Sequence, residues 1–76
     1  MKMTADKRTE LIQKIHLMKT AKVNNRAQVH EHLDKAEQHL VRAYQNLKNV
    51  IEYNAAVTDA ARELMTAAAW AKREAY

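Results

Sequence analysis

The 76 residues include no glycine, proline, cysteine, serine or phenylalanine. Glycine and proline punctuate turns, so a fold with many tight turns is excluded. The absence of cysteine rules out disulfides and suits a reducing cytoplasm, the compartment we expect. With neither Ser nor Cys, the usual nucleophiles are missing. A Gly-rich phosphate loop and the helical Glu-x-x-His metal signature are missing too. The chain therefore reads as non-enzymatic, with no catalytic, cofactor or metal residues. Long apolar runs are also lacking: the longest is AAAWA, Ala67 to Ala71, far short of the ~20 residues that span a bilayer. The opening MKMTADKRTE has no apolar stretch of the kind a secretory signal needs. No membrane insertion is expected.

What is present is dominated by Ala, Leu, Lys, Glu, Gln and Arg, the strong helix formers. No segment alternates in the manner of a strand, so the class is all-α with few turns. A chain this short makes one domain at most and buries little surface by itself. Oligomerisation is the stabilising device left open to it.

The first helix is expected over about residues 5–22, capped by Thr4 or Asp6. Leu11, Ile12, Ile15 and Met18 give it an apolar stripe at helical spacing. Asn24-Asn25 marks a turn at 23–25, because Asn tolerates the left-handed conformation that ends helices. Asn25 with Gln28 reads as the capping box of the next helix. From there Val29, Leu33, Ala36, Leu40, Ala43, Leu47, Val50, Asn54, Val57, Ala61, Leu64 and Ala68 keep spacings of four and three without a slip. That pattern predicts one long helix over about 26–74, patterned in heptads. The expected fold is a helical hairpin of a short basic helix and a long one, assembling as a homo-oligomeric bundle. Leu33, Leu40, Leu47, Val50, Asn54, Val57 and Leu64 form the oligomer seam, with Asn54 as the polar residue that sets register. The alternative is a break within 54–59, capped by Thr58 or Asp59, giving a three-helix bundle. A second apolar stripe, including Val41, Tyr44, Ile51 and Met65, widens the face toward that of a bundle.

Charge is uneven. Residues 1–26 carry seven basic and two acidic side chains, a surplus of +5, while residues 27–76 carry six and seven, or −1. In the first helix the basic residues share a half of the wheel with Leu11, Ile12, Ile15 and Met18. The other half holds Thr9, Gln13, His16 and Thr20, polar but uncharged, with Leu17 to one side. Long basic side chains can cover an apolar stripe with their stems, or rim a groove that takes an anion. In the second case Lys14, Lys19, Lys22 and Arg26 are the contact residues, because they stand closest to the Asn turn. Trp70, amid alanines, is a plug for another subunit or an anchor for a partner. His30, His32 and His39 do not converge on one ion along a single helix, and read as flanking polar residues rather than metal ligands.

The leading expectation is a small homo-oligomeric binding protein that blocks or bridges a macromolecular partner, of the kind found among phage and mobile-element accessory proteins and inhibitors. The basic first helix, the turn and the segment DKAEQHLVRAYQNLKNVIEYN together resemble the helical-hairpin sponges with which phages sequester cyclic nucleotides. The resemblance is one of pattern, spans roughly two thirds of the chain and transfers no residue. It implies the alternative function, binding of a nucleotide or nucleic acid through the basic helix. A scaffolding role is the third.

Overall fold

The computed structural model describes residues 5–74, with side chains from residue 7 onward. Three helices follow one another: α1 (Ala5–Thr20), α2 (Arg26–Gln45) and α3 (Val50–Lys72). No strand occurs among the described residues. The expected cap at Thr4 and the Asp6 side chain lie outside the described part.

The long helix is not continuous, and the break is not at 54–59. Residues 46–49 form a turn, and residues 54–59 lie inside α3. Local chemistry accounts for this. The Asn46 side-chain amide donates to the Arg42 carbonyl at 2.8 Å, and its backbone N–H to Ala43 at 3.1 Å, so α2 is closed at its end. Asn49 then starts α3: its side-chain oxygen accepts the Glu52 backbone N–H at 3.1 Å, satisfying one free donor of the first turn. Asn49-x-x-Glu52 also places a carboxylate in the first turn, at the positive end of the helix dipole.

With that turn, α3 folds back along α2. Arg42 meets Asp59 at 2.8 Å, His32 meets Glu63 at 2.7 Å, and Asn25 reaches Trp70, which is the order of an antiparallel pair. The facing sides are lined by Ala36 and Ala43 of α2 and Ala56, Ala60 and Ala67 of α3, all fully buried. Such small side chains let two backbones approach closely, and the gain is dispersion contact. Leu33, Leu40 and Val29 of α2 and Tyr53, Val57 and Leu64 of α3 fill the space beside them. Helix α1 lies over these two and contributes Leu11 and Ile15 to the core, with Met18 and Val23 partly buried against it. The bundle measures 43 × 17 × 16 Å.

The first turn also differs in detail. Helix α1 stops at Thr20, and residues 21–25 connect it to α2. Asn25 is left-handed as anticipated, at φ 55° and ψ 45°, but its side chain makes no cap bond to α2 and no capping box forms. Its amide instead donates across the bundle to the carbonyls of Trp70 (3.0 Å) and Arg73 (3.4 Å), and Asn24 donates to Arg73 at 3.0 Å. The two asparagines therefore satisfy carbonyls left over at the end of α3.

Candidate functional site

The seven residues expected in an oligomer seam do not share one environment. Leu33, Leu40, Val57 and Leu64 are buried in the chain's own core, covered by α1 and by the α2–α3 pairing. Leu47 stands in the turn, 44% exposed, and Val50 is 41% exposed at the start of α3. Asn54 is half-buried. The buried stripe of α3 runs instead through Tyr53, Ala56, Val57, Ala60, Leu64 and Ala67. The helix is thus rotated relative to the heptad reading, with its alanines toward α2 and its Leu64 edge toward α1.

Four basic residues of the candidate anion site separate into two groups. Lys14 is 2.9 Å from Glu10, one turn earlier on the same helix. This hydrogen bond and the Lys14 charge hold the Glu10 carboxyl below its usual range. Lys19 reaches from α1 to α2, pairing with Glu37 and, at 3.4 Å, with Asp34. The hydrogen bond to Glu37 outweighs burial and raises the Lys19 ammonium above its ordinary value. Both lysines are thus engaged with carboxylates. Lys22 and Arg26 are exposed, beside the Asn24–Asn25 turn. Trp70 is half-buried against the core, with the Arg73 guanidinium 4.8 Å from its ring centroid.

Arg8 is a participant that composition did not single out. Its guanidinium lies 4.2 Å from the Tyr44 ring centroid and donates to the Tyr53 hydroxyl at 3.3 Å. A cation over an aromatic face is stabilised by the ring quadrupole, and the hydroxyl of Tyr53, the largest of the fully buried side chains, gains a partner. The signal was the i,i+3 and i,i+4 placement of Arg8 beside Leu11 and Ile12, which puts it at the edge of the buried stripe.

Three surface features remain after these pairings. The first is the outward face of α1. Thr9, Ile12, Gln13, His16, Leu17 and Thr20 are all exposed there, and none carries a fixed charge. Ile12 is 41% and Leu17 66% exposed. The second is a groove of about 240 Å³ between α1 and α2, floored by Ile12, Ile15, Leu40, Val41 and Tyr44. Its charged rim, Lys19 and Glu37, is already paired. The third is a shallow groove of about 340 Å³ between α1 and α3, where Leu17, Met18, Leu64 and Met65 meet. The uncharged face of α1 joins the two grooves into a single apolar flank.

His30, His32 and His39 do not gather. His32 pairs with Glu63, and the buried Nε2 of His30 has no hydrogen-bond partner. Among the described residues no three of His, Asp and Glu come together as a metal-binding group. No described helix is long and apolar enough to cross a membrane. Comparison with protein-family models, curated proteins and solved structures returned no match.

Proposed function

We propose that this protein is a non-enzymatic helical binding module that works as a homo-oligomer, and that two copies meet through the α1 flank. The observation that carries this reading is the uncharged, partly apolar outer face of α1 on a chain of net charge +4. A solvated helix face is ordinarily charged, whereas the cores of protein interfaces are depleted of charge. Two copies of a cationic chain repel each other, and a surface without fixed charge lets them approach with less of that repulsion. Thr9, Gln13 and His16 each supply both a donor and an acceptor, and the Thr20 hydroxyl, which donates to the His16 and Leu17 carbonyls of its own helix, can still accept. This face can therefore pair with its own image across a two-fold axis.

The whole side of the bundle on which α1 lies measures 43 by 17 Å, a projection of about 730 Å², against the ~800 Å² per partner of a standard interface. An interface of that size takes in the grooves on both sides of α1. The flank also exposes Ile12, Leu17, Val41, Tyr44 and Met65, five of the eight large apolar side chains that the small core leaves uncovered; the other three, Leu47, Val50 and Ile51, are at the α2–α3 turn. This reading does not draw on the heptad seam, because Leu33, Leu40, Val57 and Leu64 are buried within the chain, while Leu47 and Val50 stand exposed at the α2–α3 turn.

Assembled this way, the module would block or bridge a macromolecular partner in the cytoplasm, in the manner of phage or mobile-element accessory proteins. Sedimentation equilibrium tests the assembly. The wild type should sediment as a multiple of 8.8 kDa at micromolar concentration. Leu17→Lys, which puts a charge on the neutral face, should yield a folded monomer with an unchanged circular dichroism spectrum. A wild type that is monomeric throughout, or a Leu17→Lys variant that assembles as well, refutes the proposal.

A further inference from the structure

The basic residues are not spread evenly over the folded surface. Lys7 and Lys14 share Glu10, Lys19 has Asp34 and Glu37, Lys35 has Glu31, and Arg42 and Arg62 share Asp59. Lys22, Arg26, Lys72 and Arg73 are exposed, and none of them forms an ion pair with a described carboxylate; Lys48, exposed and likewise without such a pair, stands by itself in the α2–α3 turn. The sequence separates these four by up to fifty-one positions. The fold brings them together, because the Asn24 and Asn25 amides are bonded to the carbonyls of Trp70 and Arg73. All four therefore lie within about one helical turn of those bonds, at the end of the bundle where α1 and α3 finish and α2 begins.

Helix dipoles do not account for this much charge. Two helix C-termini and one N-terminus leave roughly −0.5 of an elementary charge at this end. The four cations less Glu74 amount to +3, so about +2.5 stays uncompensated. That is most of the net charge of the chain, held on an end face of about 17 × 16 Å.

We infer that this end binds the sugar-phosphate backbone of single-stranded nucleic acid without sequence preference, one phosphate to each of Lys22, Arg26, Lys72 and Arg73. Charge complementarity identifies the partner as a polyanion. The surroundings favour nucleic acid over an anionic membrane. An interfacial membrane site inserts large apolar side chains, yet the eight exposed large hydrophobics all lie outside residues 22–28 and 70–74. The indole of Trp70 packs against the core and carries the Arg73 guanidinium on its ring, which makes a planar cation at the edge of the patch. Bases stack on such planes, and the stacking is tolerant of sequence. This surface is at the end of the bundle and does not use the outer face of α1, so self-association and nucleic-acid binding can fail independently.

The test is fluorescence anisotropy with a labelled oligothymidylate, titrated over a range of salt. Four neutralised phosphates on a single strand predict a log–log salt slope near −2.8. The exposed pair K22Q/K72Q should reduce that slope to about −1.4, and R26Q/R73Q should do the same while also removing any quenching of Trp70 emission. K7Q/K14Q, which changes two lysines already paired to Glu10, should leave binding as it was. Circular dichroism confirms that each variant is folded. Absence of binding by the wild type in low salt overturns the inference, as does a slope untouched by K22Q/K72Q or equally reduced by K7Q/K14Q. Stronger partition onto phosphatidylserine vesicles than onto the oligonucleotide assigns the patch to lipid and overturns it as well.

Discussion

Leu33 and Leu47 occupy the same heptad position, two repeats apart. In a continuous seam they would be equivalent, and truncating either would cost the same. In the folded chain Leu33 is fully buried between α1, α2 and α3, whereas Leu47 stands in the turn with 44% of its surface exposed. Truncation of a fully buried leucine costs ~2–5 kcal/mol, from lost transfer energy and the cavity left behind. Leu33 belongs to a core in which five fully buried alanines leave little side-chain freedom for relaxation, so about 3 kcal/mol is the central figure. For Leu47, little more than half the side chain leaves water on folding, and part of that is the Cβ that alanine keeps. Its cost should be about 1 kcal/mol or less. A domain of this size has only ~4–11 kcal/mol in total. Leu33→Ala should therefore remove about a quarter or more of the stability and lower Tm by roughly 12–24 °C. Leu47→Ala should lower it by about 4–8 °C at most. Urea unfolding followed by circular dichroism, at two protein concentrations, measures both. Equal losses at the two positions, or a Leu33→Ala loss under about 1 kcal/mol, would refute the intramolecular assignment of the core.

Three more outcomes follow from the turns and ion pairs. Asn49→Ala removes the cap of α3 and should cost ~1 kcal/mol, whereas Thr58→Ala, mid-helix, should be neutral or slightly stabilising in thermal melts; the reverse order would place the break at 58–59 after all. Asn25→Gly keeps a left-handed backbone and loses only the bonds to Trp70 and Arg73, so it should be milder than Asn25→Ala by about 1 kcal/mol; equal effects would show that backbone strain at this position is unimportant. The Arg42 hydrogen bond holds Asp59 below the usual carboxylate range, so its contribution is present above the unfolded carboxyl value and is lost as pH falls through the folded one. The Tm difference between wild type and Arg42→Gln should then shrink in acid, and a difference that persists at the lowest pH would count against the pair; Lys19, raised by Glu37, has the opposite sign and loses its contribution only as pH climbs past its folded value.

Composition alone determined the class. With no Gly or Pro, few strand formers and abundant Ala, Leu, Glu and Lys, helices are the only regular structure that the chain supports locally. The Asn24–Asn25 turn was equally legible, because a left-handed residue is needed there and only Asn was on offer. Periodicity also picked out Val29, Leu33, Ala36, Leu40 and Ala43 as the buried side of α2. Periodicity reports which face is apolar, and nothing in it reports what covers that face. The turn at 46–49 contains four residues, close to the 3.6 of one helical turn, so the apolar spacing of the sequence runs through the reversal of chain direction without a gap. The face that α3 buries is nevertheless displaced from it, to Tyr53, Ala56, Val57, Ala60, Leu64 and Ala67. Asn46, Asn49 and Glu52 carried the local signal of that reversal, and the unbroken heptad overrode it. The charges divide in the same way. The basic surplus of the first 26 residues is plain in the sequence. Only the tertiary structure sets Lys19 against Asp34 and Glu37, and brings Lys22 and Arg26 to Lys72 and Arg73. Electrostatic pairing depends on distances of a few ångströms between helices, and those distances exist only once α3 has folded back on α2.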